Sequence, residues 1–305
     1  MFTKTTTGAW VIVLGASAWG LFWIPLRHID QMGIQGIWAI AIIMGFASLV
    51  AIPMALAHDG LWGLRALRVW RKEKAVKTML IGICIGLTTV LYFVGVVITD
   101  VIRVVFLFYL LPVWAALLSR LIYGRKITPI SALCIFAALG GLGLLLGADT
   151  GFPVPRDFGD WCGLAAGFFW GLGLSVIHDS DEISALATSA STFFFGAIMA
   201  GLAGLLLTTF GGSSLLVVPD TDAVITILPQ AALFGIMILF PSMLGQIWGA
   251  RHVEPHRAAL LTMSEILLAS ASAYLLIGTD LTPIATIGGV IIVLSVLTDL
   301  WVKKR

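Results

Sequence analysis

DVIRVVFLFYLLPVWAALLSRLIYGRKITPI, residues 100–130, returns as EPHRAALLTMSEILLASASAYLLIGTDLTPI, residues 254–284. At a constant offset of 154, Asp100, Arg103, Gly124, Thr128, Pro129 and Ile130 meet Glu254, Arg257, Gly278, Thr282, Pro283 and Ile284. Only the first of these pairs changes residue type, from one acid to the other. Each copy runs through an apolar stretch of the length a helix needs, about 20 residues, to cross a hydrocarbon core roughly 30 Å thick. A second echo lies earlier in each half, where Trp19-Gly20-Leu21 recurs as Trp170-Gly171-Leu172 at an offset of 151. The repeat therefore divides the chain into halves 1–150 and 151–305, joined by a Gly-, Pro- and Asp-rich linker from Asp149 to Asp160.

Composition sets the solvent. Of 305 residues, 59% are hydrophobic and only 11% charged, and the mean hydropathy is +1.04. A soluble domain covers itself with roughly a quarter charged residues, so this chain is built for lipid. The spanning template fits ten times, over 9–26, 34–57, 76–98, 101–122, 129–148, 159–177, 184–207, 224–249, 257–277 and 283–302. The fold class is thus an all-α polytopic membrane protein of ten transmembrane helices in two five-helix repeats. Lys4, the following apolar run and Ala16-Ser17-Ala18 mimic a cleaved secretory signal. The apolar run continues to Leu26, however, and the repeat requires it as a first helix.

Orientation follows from charge, because cytoplasmic loops retain lysine and arginine. With the N-terminus inside, fifteen such residues fall on the cytoplasmic side, leaving Arg27, Arg103 and Arg156 outside. Both termini are then cytoplasmic, which requires an even number of spans. The Gly60 to Lys74 loop sets Leu61, Leu64, Leu67 and Trp70 against arginines, the pattern of a helix lying on the anionic inner leaflet. Five spans per half turn the second half upside down relative to the first. Inverted halves of this kind exchange roles across an in-plane axis and open one central site to either side, which is what secondary transport needs.

Several function classes lack support. The net charge of +2 sits in short breaks between apolar runs, with no basic, aromatic-interleaved stretch for nucleic acid. Cys84, Cys134 and Cys162 lie in or beside apolar runs and read as buried small hydrophobes. No nucleophile triad or glycine-rich phosphate loop appears, so the expectation is a non-enzyme without cofactor. His252 and His256 have i,i+4 spacing, but Pro255 and their loop position argue against a metal site.

At the Trp-Gly pairs of helices 1 and 6, the helix 4 proline with its Gly-basic-x-Thr-Pro turn (Pro112, Gly124, Arg125, Thr128, Pro129) and the matching Gly278 to Pro283 turn, the chain resembles the drug/metabolite transporter superfamily, EamA type. The resemblance implies a carrier in a bacterial inner membrane with a central cavity between halves, often an exporter of amino acids or related metabolites. Uptake of the same substrates and lipid flipping are the alternatives. Members commonly carry Glu-Pro in helices 4 and 9; here helix 4 has Leu111-Pro112 and helix 9 has Glu265-Ile266. Arg125 replaces a glutamate often found after the glycine.

Glu265 falls eight residues, roughly 12 Å, into helix 9, near the bilayer midplane. A carboxylate there is costly unless it faces a cavity or a partner. It reads as a proton carrier, as an anchor for a substrate amine, or as a structural group bonded to a neighbouring Ser or Thr such as Thr262. Trp19, Tyr92, Tyr109 and Trp170 are the aromatic candidates for walling the substrate or proton site, with Trp23, Trp114 and Trp248 as further wall residues. Asp100 with Arg103 and Glu254 with Arg257 read either as symmetry-related gating pairs or as helix-start acids with interfacial arginines. Arg27 and His28, together with Arg103, would make an outer vestibule attractive to carboxylates. Gly163, Gly167 and Gly171, and Gly82 with Gly86, have the four-residue spacing of close helix packing. Pro112 and Pro241 mark a hinge or a kink. A small-molecule substrate, protons and membrane lipids are the expected partners.

Overall fold

A computed structural model describes residues 3–59, 72–147, 154–180, 182–210, 216–278 and 282–301. Among the described residues, ten helices of spanning length and apolarity follow one another: α1 Lys4–Gln31, α2 Gly36–His58, α3 Lys74–Ile98, α4 Val101–Tyr123, α5 Pro129–Leu146, α6 Phe158–His178, α7 Ala185–Phe210, α8 Thr221–Ala250, α9 Pro255–Ile277 and α10 Pro283–Trp301. No strand occurs among the described residues. The amphipathic stretch expected at 60–71 lies outside them. Successive spans alternate direction, so α1 starts and α10 ends on one side of the bundle, here termed the terminal face; the other is the far face.

The repeated residues are helix punctuation. Thr128 and Thr282 accept hydrogen bonds from the backbone N–H groups of Ser131 and Ala285, each at 3.1 Å, and a proline follows each at the first helical position, where no N–H is missed. Gly124 and Gly278 end α4 and α9 at φ of +65° and +67°, a left-handed conformation in which other side chains are strained.

Helix ends overrun the expected spans where polar residues continue the helix past the hydrocarbon. The largest difference is α1, read as 9–26 and observed from Lys4 to Gln31. Thr3 caps its start by accepting from the Thr6 N–H at 3.3 Å. Its last turns, after a break at Leu21 and Phe22, carry exposed Arg27, His28 and Asp30. Apolarity locates the bilayer; it does not measure the helix.

Both α4 and α9 are broken in mid-span. The first stops at Phe108 and resumes at Leu111, and the second stops at Thr262 and resumes at Ser264. Tyr109 and Met263, in the two breaks, are related by the repeat offset of 154. Pro112 has no N–H and its ring crowds the carbonyl four residues back, which explains the interruption in α4. The break in α9 occurs with Ile266 in place of the proline, and nothing local accounts for it. In α8 a wide π turn, Gly235–Leu239, precedes Pro241 and absorbs the missing donor.

Packing obeys the same pseudo-symmetry. Helix α1 lies against α8 and α9, and its counterpart α6 lies against α3 and α4. Helices α2 and α7 pair with each other, as do α5 and α10. At the crossings of α1 with α9 and α6 with α4 stand the echoed glycines. A Cβ on Gly20 would collide with the Glu265 carbonyl oxygen and come 3.0 Å from the Ala269 nitrogen. On Gly171 it would come 2.8 Å from the nitrogen of Ala115, the repeat mate of Ala269. Such backbone approach is the use of small residues in membrane helices. Gly20→Val is therefore expected to cost about 1–3 kcal/mol through overpacking, read as a fall in Tm of the detergent-solubilised protein. A wild-type Tm would mean that this crossing relaxes freely.

Candidate functional site

Helices α1, α3, α4, α6, α8 and α9 surround a cavity of about 290 Å³ that extends from mid-span toward the far face. Its far-face rim includes Leu26, Val96 and Val101, and its floor includes Gln246, Thr262 and Trp170. Beyond the floor, toward the terminal face, Ile12, Ile85, Leu174, Ile177, Ile247 and Ala258 close around a void of only about 10 Å³. That space barely admits one water, so the chain is sealed on this side.

Glu265 is on the cavity wall, half-buried, two residues beyond the break in α9. The Tyr109 phenol, from the break in α4, lies close to its carboxyl group. The two interrupted helices thus meet at an acid and a phenol that face each other. Tyr92 of α3 also lines the cavity. Thr262 is not the partner of the acid, because its hydroxyl donates to the Ala259 carbonyl at 2.7 Å.

The aromatic candidates divide. Trp19 and Trp170, the repeat mates, both line the cavity, as do Trp23 and Tyr92. Tyr109 stands behind Glu265 and is buried in the core. Trp114 and Trp248 do not belong to the wall: Trp114 packs edge-on against Phe168 at 5.4 Å and Trp248 lies 4.5 Å from the His252 ring. Both project from their helices away from the cavity, which helical position in an apolar run does not disclose. Phe22, Phe93 and Phe108 add to the wall, and Tyr92 meets Phe108 edge-on at 5.2 Å.

The arginines at the starts of α4 and α9 have partners other than the acids three residues before them. Asp100 caps α4, accepting from the Arg103 backbone N–H at 3.2 Å. The Arg103 guanidinium instead forks onto Asp160 of α6, with Nε 3.1 Å from Oδ1 and Nη2 bonded to Oδ2. Asp160 is fully buried and also accepts from the Arg156 N–H at 2.9 Å. Arg257 donates from Nε to Asp299 Oδ2 at 2.5 Å and from Nη2 to the Asp299 carbonyl. Asp299 is fully buried in α10 and takes a further bond from Ser131 of α5 at 3.0 Å. The expected side-chain pairs are thus replaced by pairs between helices, because buried carboxylates outcompete exposed ones for a guanidinium fork. Arg103, held by Asp160, is not part of a cluster with Arg27 and His28, which are exposed at the end of α1 next to the rim residue Leu26.

Glu254 belongs to a cluster at the terminal face. Arg125 reaches Glu254 at 3.2 Å and Asp179 at 3.4 Å. His178 Nε2 lies 3.7 Å from Glu254 while its Nδ1 is 3.1 Å from the Ala250 carbonyl. The cluster joins the turn after α4 to the ends of α6 and α8 and the start of α9, and so ties the two halves together below the sealed floor. Sequence reading missed Asp160, Asp299, His178 and Asp179. Asp299 had a signal, an acid inside an apolar span; the His178–Asp179 pair had one in being the 151-offset mate of Arg27–His28.

Known proteins bear on the architecture. The model of the EamA-like transporter family matches residues 6–147 and again residues 157–298. A crystal structure at 16% sequence identity superposes with a TM-score of 0.71, covering 97% of this chain and 99% of the other. It is one of 23 matching solved chains, and at that identity the likeness speaks to the fold alone. No curated protein matches the chain.

Proposed function

Because the chain belongs to the EamA-like transporter family and is a membrane transporter of small solutes, we propose that it is a secondary carrier that exports an amino acid or a related small polar metabolite across a bacterial inner membrane. The observation that carries the reading is the mid-span cavity with Glu265 on its wall, enclosed by helices from both repeats. An ionisable group at that depth costs at least about 2.5 kcal/mol on insertion scales, and its repeat mate is the apolar Leu111. The fold alone does not require an acid there.

In this reading the halves divide near residue 150, the terminal face is cytoplasmic, and the structure is the outward-open state of an alternating-access cycle. The Arg125, Glu254, His178 and Asp179 cluster is its cytoplasmic latch. Repeat symmetry then assigns the outer latch: Glu254 maps to Asp100, His178 to Arg27 and Asp179 to His28. Leu26 and Val101, the chain neighbours of Arg27 and Asp100, line the cavity, so these charges flank its mouth. Closing the outside brings Asp100 to Arg27 while the inner cluster separates.

Transport is tested with purified protein in liposomes, following counterflow of radiolabelled amino acids. Accumulation above protein-free liposomes is the expected outcome, and its absence for every amino acid and organic acid tried removes the substrate assignment. Orientation is tested in intact cells with a membrane-impermeant maleimide, against a background of three buried native cysteines. Pro155→Cys is expected to label and Lys126→Cys to be protected; the reverse pattern inverts the topology. Lipid flipping is the second reading, favoured by an apolar groove of about 480 Å³ between α1 and α8 that shares Phe22 with the cavity. Transbilayer movement of a fluorescent phospholipid without solute counterflow would select it.

A further inference from the structure

We infer that the cavity takes an organic cation, an amine or quaternary ammonium on a flat apolar body, in preference to an acid. The inference rests on the carrier reading but replaces its amino-acid substrate, and its warrant is the inventory of what the walls present.

Glu265 is the only charged side chain among the described residues lining the cavity. No lysine, arginine or histidine stands opposite it to receive a carboxylate. The hydroxyls do not fill that role, because each has one hydrogen to donate. Thr89 directs its hydrogen to the Ile85 carbonyl at 3.2 Å and Thr262 to that of Ala259 at 2.7 Å. Thr88 lies 3.0 Å from both the Cys84 and the Ala166 carbonyl oxygens. With those hydrogens committed to backbone, the threonines have lone pairs left for a ligand.

The larger polar side chains lean the same way. The Trp23 indole N–H donates to Ser272 at 3.0 Å. The indole N–H groups of Trp19 and Trp170 have no hydrogen-bond partner, but both are shielded from the open cavity, so a ligand there meets ring carbon. Aromatic faces carry negative charge density and attract ammonium groups, quaternary ones included. Gln246, one of whose amide hydrogens already approaches Ser242 at 3.4 Å, and the Tyr92 hydroxyl are the neutral donors that remain. Two neutral donors beside an acidic side chain do not make a site for a second acid, whereas a cation finds an acidic partner, lone pairs and π faces together. At about 290 Å³ the space is at the small end of ligand sites, which fits a body of one aromatic ring.

The test compares three probes that share a phenyl body and differ in charge: phenyltrimethylammonium, L-phenylalanine and 3-phenylpropionate. Each is titrated at neutral pH against the full chain in detergent, with quenching of intrinsic tryptophan fluorescence as the readout. The expected order is phenyltrimethylammonium at least tenfold tighter than phenylalanine, with 3-phenylpropionate weakest. Glu265→Gln is expected to lower affinity for the cation at least tenfold and to leave or improve that for the acid. If this variant does not fold, the order of the three probes on the native protein decides the matter unaided. Equal or tighter binding of phenylalanine or 3-phenylpropionate overturns the inference, as does a cation affinity unchanged in a folded Glu265→Gln. Counterflow of labelled phenyltrimethylammonium in liposomes separates this inference from the carrier reading. Binding in the expected order without flux keeps the ligand class and removes the carrier, whereas phenylalanine flux without a cation preference does the opposite.

Discussion

Arg103→Leu is expected to lower the Tm of the detergent-solubilised protein, because it strands the buried Asp160 carboxylate without its guanidinium partner. Asp160 is fully buried and the Arg103 side chain only 16% exposed, so water does not replace the lost guanidinium. The Arg156 N–H supplies one remaining bond to the carboxylate, which is too little to neutralise it. The double variant Arg103→Leu with Asp160→Leu should recover most of the loss, since apolar replacements of similar volume carry no desolvation cost. A contrasting control is the exposed pair of Lys77 and Glu182, 3.1 Å apart with about a third of each side chain in solvent. Lys77→Ala is expected to cost no more than about 1 kcal/mol. Denaturant unfolding of the three variants reads all of this directly. If Arg103→Leu is as stable as the native chain yet alters access to the cavity, the arginine is a gate and not an anchor. Arg257 with Asp299 should behave as Arg103 with Asp160 does.

The contrast between these arginines and Glu265 shows where sequence reading ends. Ten spans, their inverted duplication and the mid-span acid are recorded along the chain itself, as apolar run length, a fixed offset and one misplaced charge. The repeated Gly and Thr-Pro residues are equally local, because caps and left-handed turns are satisfied within a few positions. Ion-pair partners are not local. Spacing proposed Asp100 for Arg103 because three residues bring two side chains to one helix face. The partner is set instead by which helix approaches, and the glycines of α6 bring Asp160 there: a Cβ on Gly163 would come 2.9 Å from the Val104 carbonyl oxygen. The aromatics divide for a related reason. Trp19 and Trp170 line the cavity and recur by symmetry, but the two runs containing Trp114 and Trp248 are apolar over most of their length, so the sequence holds little mark of which face turns inward.

Glu254→Lys is expected to shift the protein toward a state open at its terminal face by roughly 30- to 150-fold, a change of about 2–3 kcal/mol in the balance of two conformations. The substitution removes an attraction to Arg125 at 3.2 Å and puts a like charge in its place. At an effective dielectric near 20 a pair about 4 Å apart is worth about 4 kcal/mol, and the partial exposure of both side chains, 28% and 18%, reduces that. Ala258, fully buried beneath the cavity floor, is the reporter: Ala258→Cys should be inert to a maleimide in the otherwise native protein and reactive when combined with Glu254→Lys. The repeat supplies the opposing experiment. Asp100→Lys removes the mate of Glu254 and sets a cation beside Arg27, so it should hold the mouth open and keep Ala258→Cys inert. Exchanging the charges, Asp100→Arg with Arg27→Asp, should restore the flux that either change abolishes alone. A Glu254→Lys protein whose Ala258→Cys stays protected would show that the terminal-face cluster does not hold the cavity shut. Accessibility in Glu254→Lys without rescue by the exchanged pair would leave the terminal-face latch standing and remove its symmetry mate.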